Sequence, residues 1–161
     1  MSASEILPAH APEWIPAVRE LFEEYAAQLG VDLCFQNFAE ELATLPGAYA
    51  PPRGGVWIAR VDGRDAGCVA LRPLREEDAE LKRLYVRQTF RGYGLGLRLT
   101  RTALDFARAA GYRRVLLDTL PEMTEAQALY RHLGFKPVPE YAPHPVPGTI
   151  WMELAFEDAQ A

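Results

Sequence analysis

The chain has 161 residues, enough for one domain with a sizeable core, and its 49% hydrophobic and 24% charged residues exclude disorder throughout. A net charge of −5 offers nothing that would draw a polyanion, so no nucleic acid partner is expected. No apolar run approaches the ~20 residues that span a bilayer, and Met1-Ser2-Ala3-Ser4-Glu5 lacks the basic start of a secretory signal, so the expectation is a cytoplasmic protein with no membrane partner.

In chain order, Trp14, Val18, Leu21, Phe22, Tyr25 and Leu29 recur at helical spacing and predict a helix over 12–29. Pro16 delays its regular start and Gly30 suits its end. Val31 to Gln36 reads as a loop, and a shorter helix follows from Asn37 to Leu45, before Pro46-Gly47. Val56–Val61 and Ala66–Leu71 are strands around the turn Asp62-Gly63, a hairpin. Arg75 to Asp78 is a polar connection. Glu80–Val86 alternates as a third strand, with Leu81, Arg83 and Tyr85 on one face and Glu80, Lys82, Leu84 and Val86 on the other.

A helix over 95–110 carries Leu95, Leu99, Phe106 and Ala110 on one stripe and ends at Gly111. Val115–Thr119 is a short buried strand. Thr124 with Gln127 three residues on is a capping-box signature for a further helix that ends at Gly134. A proline-rich stretch then leads to a last strand over 149–156. The sum is α+β: helices first, an antiparallel meander, then a β-α-β-α-β tail.

Two cysteines, Cys34 and Cys68, make no disulfide framework, and His10, His132 and His144 are scattered, so no metal site is expected. Within the acidic chain, Lys82, Arg83, Arg87, Arg91, Arg98 and Arg101 form a basic island that overlaps Arg91-Gly92-Tyr93-Gly94-Leu95-Gly96. Glycines between a strand and a helix let the backbone approach a ligand closely, and the first helical amides then favour an anion such as phosphate. The alternative is a loop chosen only for tight turning. A P-loop needs Gly-Lys-Ser/Thr where Gly96 is followed by Leu97-Arg98, and a dinucleotide fingerprint needs glycine where Leu97 stands.

Arg91-Gly92-Tyr93-Gly94-Leu95-Gly96 resembles the acyl-CoA motif Arg/Gln-x-x-Gly-x-Gly/Ala of the GNAT superfamily of N-acetyltransferases. Glu125 to Phe135 is similar to that family's later helix ending in Tyr-x-x-x-Gly-Phe. The match covers roughly Val56 to Phe135 and the closing strand. The resemblance implies one N-acetyltransferase domain over 1–161, with a mixed, mostly antiparallel sheet and helices on both faces. It implies acetyl-CoA as acyl donor and cosubstrate, and a small-molecule amine as acceptor partner; it also leaves room for a homodimer. The non-catalytic alternative is an acyl-CoA-binding or sensor domain.

Residue by residue, it implies that Leu84, Tyr85, Val86, Arg91, Gly92, Tyr93, Gly94, Leu95 and Gly96 hold the cofactor, with a backbone N–H near Leu84 at the oxyanion. Met123 stands where the family often has an Asn that contacts the cofactor arm. Phe35, Asn37 and the segment Tyr141 to His144 are expected around the acceptor. An alkylamine with a pKa near ~10.4 must lose a proton before it attacks, and Glu80, on the strand that would carry the thioester, is the candidate base. Its alternative is a strand-edge charge paired with Lys82 or an arginine. Tyr130, at the family's tyrosine position, is the candidate acid for the leaving thiolate; its alternative is an aromatic core residue beside Leu129 and Leu133.

Overall fold

A computed structural model gives the fold, with residues 3–30, 37–144 and 146–156 described. The chain opens on a strand that the periodicity does not announce: β1 (Ser4–Pro8) pairs antiparallel with β2 (Gly55–Val61), Leu7 opposite Ile58. Its alternation is too short to read locally, and pairing across the sheet decides its state. The order is therefore not helices first. α1 (Ile15–Leu29) takes Pro16 into its first turn, where the missing N–H costs nothing, and ends on Gly30 at φ 66°. α2 (Phe38–Ala43) is shorter than expected, because Asn37 sits outside it in the left-handed region and Thr44 closes it by donating to the Glu40 carbonyl.

β2 turns into β3 (Arg64–Pro73) through Asp62 and Gly63 at φ 51° and 77°, the two positive values that a two-residue hairpin turn requires. β4 (Asp78–Val86) continues the meander, and α3 (Leu95–Ala109), β5 (Arg114–Thr119), α4 (Thr124–Leu133), β6 (Lys136–Pro137) and β7 (Ile150–Ala155) complete the chain. The sheet order is β1-β2-β3-β4-β5-β7-β6, antiparallel except between β4 and β5.

Side chains from alternate strand positions build a core on each face. Val56, Ile58, Cys68 and Ala70 pack under Val18, Leu21 and Phe22 of α1. Trp57, Val69, Leu71, Leu81, Val115 and Leu117 pack under Leu95, Leu99 and Ala103 of α3 and Tyr130 of α4.

Two irregularities in the middle of the sheet position the site. β4 and β5 pair only from Asp78–Glu80 to Arg114–Leu116, although β4 runs on to Val86 and β5 to Thr119. β3 holds β4 and β7 holds β5 along their lengths, so the sheet opens between β4 and β5. β4 also carries a bulge: Ala70 pairs with Lys82 and Cys68 with Tyr85, so Val69 faces two residues. Arg83 takes up the extra residue at φ 61°, held by a two-pronged ion pair to Glu41 at 2.8 and 2.9 Å, while the Cys68 thiol donates to its carbonyl at 3.3 Å.

The bulge corrects the expected alternation. Leu81 and Tyr85 lie on opposite faces, Leu81 in the α3 core and Tyr85 in the α1 core, while Leu84 and Val86 pack with the α3 side. The capping box is also absent. Met123 is the cap of α4, Thr124 is its first residue, and the buried Gln127 amide donates to the Leu120 and Pro121 carbonyls instead.

Candidate active site

A groove of about 550 Å³ follows the opening between β4 and β5. One wall is β4 at Leu84, Tyr85 and Val86; its end is Phe90 to Gly96; the opposite wall is Met123 to Ala126 and Leu129 of α4. Of the residues expected at the cofactor, Tyr93 alone is not among the lining ones; it stands 63% exposed. Gly92 and Gly94 have φ 90° and 74°, which an L side chain adopts only under strain. Arg91 N–H bonds to the Gln88 carbonyl and Arg98 N–H to the Gly94 carbonyl, and the amides between them have no protein acceptor among the described residues. With the start of α3 behind them they form a cradle for an anion.

The basic island divides in space. Arg83 goes to Glu41 of α2, Arg87 to Glu20 and Glu24 of α1, and Lys82 towards Asp118 of β5. Arg91 is turned to the Val86 carbonyl and the Gln28 side chain, so the loop's appeal to an anion rests mainly on its backbone.

A smaller cavity of about 40 Å³ shares Tyr25, Leu29, Leu84, Leu120 and Met123 with the groove and adds Lys82, Asp118, Thr119, Tyr130 and His144. Tyr130 is buried, its ring 5.5 Å from Phe135, and its hydroxyl has no hydrogen bond among the described residues. Burial, with Tyr25 and the Asp118 charge nearby, raises its pKa well above the usual phenol range, so it remains protonated. Burial likewise raises Tyr25, to about 12.

Glu80 is buried and saturated. Arg72 donates to Oε1 at 2.9 and 3.0 Å, and the Tyr141 hydroxyl to Oε2 at 2.7 Å. Burial alone would raise its carboxyl, but Lys82, Arg72 and Tyr141 outweigh burial and hold it below the ordinary value. This geometry agrees with the paired strand charge that the sequence left as the alternative. Tyr141 stacks edge-on against Trp151 at 4.6 Å, so Glu80 anchors the segment before β7 over the sheet. Asn37 is exposed at the head of α2 and lines neither cavity, and Phe35 lies outside the described residues.

The sequence reading missed Asp118. An acidic residue inside the apolar run Val115-Leu116-Leu117 was the available signal, since carboxylates are rarely buried without purpose. Its oxygens lie 3.6 Å from Lys82 Nζ and 3.4 Å from His144 Nε2. Among the described residues no helix is long and apolar enough to cross a membrane.

Residues 15–135 match the Acetyltransferase (GNAT) family. An uncharacterized N-acetyltransferase of Schizosaccharomyces pombe, C1271.07c, is 37% identical over 145 residues, covering 89% of this chain and 89% of the relative. A crystal structure of an acetyltransferase from Streptococcus agalactiae superposes with a TM-score of 0.78 at 22% identity, covering 95% and 98% of the two chains. A GNAT family acetyltransferase from Elizabethkingia anophelis, solved with acetyl-CoA bound, superposes at 0.63 with 19% identity, covering 95% and 98%. These two likenesses speak to the fold.

Proposed function

Because this chain belongs to the GNAT family of acetyltransferases, we propose that it moves the acetyl group of acetyl-CoA onto the amine of a small acceptor. The observation that carries the reading is the opening between β4 and β5, which leads from a backbone anion cradle at Gly92–Gly96 to a buried polar cavity. The cradle fits the pyrophosphate of the cosubstrate, and the unpaired edge of β4 past Glu80 fits an amide-bearing arm. Acetyl-CoA supplies an already activated thioester, so the protein's task is alignment and proton movement.

The acceptor nitrogen attacks the thioester carbon; a C–N bond forms, the C–S bond breaks, and one proton leaves nitrogen while one reaches sulfur. Backbone amides near Leu84 face the developing oxyanion. Tyr130, buried and protonated, delivers the proton to sulfur, whose thiol titrates near ~8.5. We assign the amine proton to Asp118 rather than Glu80. Glu80 has both oxygens occupied and a depressed basicity, whereas Asp118 has only the longer contacts to Lys82 and His144, at 3.6 and 3.4 Å, and lines the cavity.

Incubation with acetyl-CoA and a broad amine panel tests this, with free CoA and acetylated amine measured together. Release of the two in equal amounts is expected. Binding of acetyl-CoA with no acetylated product from any amine would leave a sensor and overturn the transferase reading.

A further inference from the structure

The close ion pairs of the central strands are saturated by short contacts. Arg83 grips Glu41 with two nitrogens at 2.8 and 2.9 Å, Arg72 grips Glu80 at 2.9 and 3.0 Å, and Arg114 grips Asp78 at 2.8 and 3.0 Å. Lys82 and Asp118 are the exception. Their side chains are only 6% and 13% exposed, yet they stand 3.6 Å apart; beside Lys82, the Asp118 carboxylate has only His144 Nε2, at 3.4 Å, and neither Lys82 nor Asp118 makes a hydrogen bond among the described residues. An ammonium with three donors and a carboxylate with lone pairs to spare, both largely buried, carry a standing cost unless something polar joins them. Thr119 Oγ1, on the same cavity wall, is also buried without a hydrogen-bond partner among the described residues.

Resting on the transferase reading above, we propose that the acceptor is a free α-amino acid, its carboxylate on Lys82 and its amine on Asp118. The charges of the cavity wall balance. Lys82 faces Asp118, with the His144 ring beside the same carboxylate, and Arg83 is tied to Glu41, so a ligand of zero net charge with one pole of each sign is the complement. An α-amino acid carries its two charged groups on one carbon and presents them side by side, as Lys82 and Asp118 stand side by side. A diamine would set a second cation near Lys82. A peptide N-terminus would offer an uncharged amide there and leave the ammonium uncompensated. In a long ω-amino acid the poles are held apart by flexible chain, which costs order to bring together.

The test measures kcat/KM for free amino acids, their amides, the corresponding decarboxylated amines and dipeptides, on wild type, Lys82→Met and Lys82→Arg. Calorimetric titration of the CoA-bound protein with the best amino acid and its amide gives the same comparison without turnover. Wild type is expected to prefer the free acid over its amide by about 10- to 100-fold, the worth of a hydrogen bond to a charged group. Lys82→Met brings that ratio close to one and Lys82→Arg keeps its direction. Acetylation of amines with no regard to the carboxylate, or a preference that survives Lys82→Met, overturns this inference and leaves the transferase reading standing. Equal acetylation of dipeptides does the same and points to chain N-termini. If nothing in this panel is acetylated while the broad amine panel gives product, this inference alone falls; if neither panel gives product, both readings fall. Should Lys82→Met not fold, the wild-type ratio decides alone.

Discussion

The two ends of the opening between β4 and β5 are built from different material. At Gly92–Gly96 the recognition groups are backbone amides, placed by two positive φ values and the start of a helix. At Lys82, Asp118 and Tyr130 they are side chains from three elements that meet only because the sheet splits and β4 bulges. Backbone recognition tolerates many side chains and reads only chain geometry. Side-chain recognition reads charge and shape, so a common cosubstrate suits the first end and a particular acceptor the second.

The largest way to break this comparison is at the backbone end. Gly94→Glu forces a Cβ onto a residue at φ 74° and sets a carboxylate where phosphate oxygens would sit. Losing two charge-assisted hydrogen bonds at about 2 kcal/mol each predicts an acetyl-CoA affinity weaker by about 10³-fold. Calorimetry on folded protein measures it, and unchanged affinity would remove the loop from the site. At the side-chain end, Asp118→Asn should lower kcat/KM at neutral pH by about 10²-fold, a general-base effect that shrinks as the acceptor amine deprotonates in solution. A pH–rate profile for both proteins decides, since a merely structural Asp118 would give a loss independent of pH.

Tyr130→Phe keeps the ring against Phe135 and removes only the hydroxyl. A drop of about 10-fold in kcat with acetyl-CoA affinity intact is expected, because thiols leave fairly well unaided. Wild-type kcat would return Tyr130 to the core. The smallest effect on chemistry belongs to Glu80→Gln, which removes an anchor rather than a base. A few-fold change in rate is expected beside a clear loss of thermal stability, since breaking one partner from a buried pair costs about 3–5 kcal/mol. Glu80 titrates lower in the folded state than its ordinary value of 4.5, so its stabilisation is present above that pH and lost as pH falls through its folded pKa. Melting curves of wild type and variant should therefore approach one another in acid.

The contrast also explains what could be read from the chain. The glycine loop, the Asp62-Gly63 hairpin and the stripe on α3 are local patterns, in which neighbouring residues hold the whole message, and each appears where the periodicity put it. β1 could not be read because its state depends on an edge more than forty residues away. The faces of β4 failed at Arg83, since a bulge shifts every later side chain and leaves no mark in an alternating sequence. The Lys82–Asp118 pair joins two strands that are parallel neighbours for three residues and then part.

The bulge has a further use, as a clock. The Cys68 thiol is fully buried, burial pushes its pKa far above the ordinary thiol range, and it reaches the Arg83 carbonyl at the bulge. Only a thiolate reacts at a useful rate, so a thiol reagent meets Cys68 only when β3 and β4 part there. In a Cys34→Ser background, the rate at which Cys68 is modified becomes a stopwatch on that local opening, read one bond from the residue that bends the strand. The same silence in the closed state lets a thiol dye report released CoA with little background from Cys68.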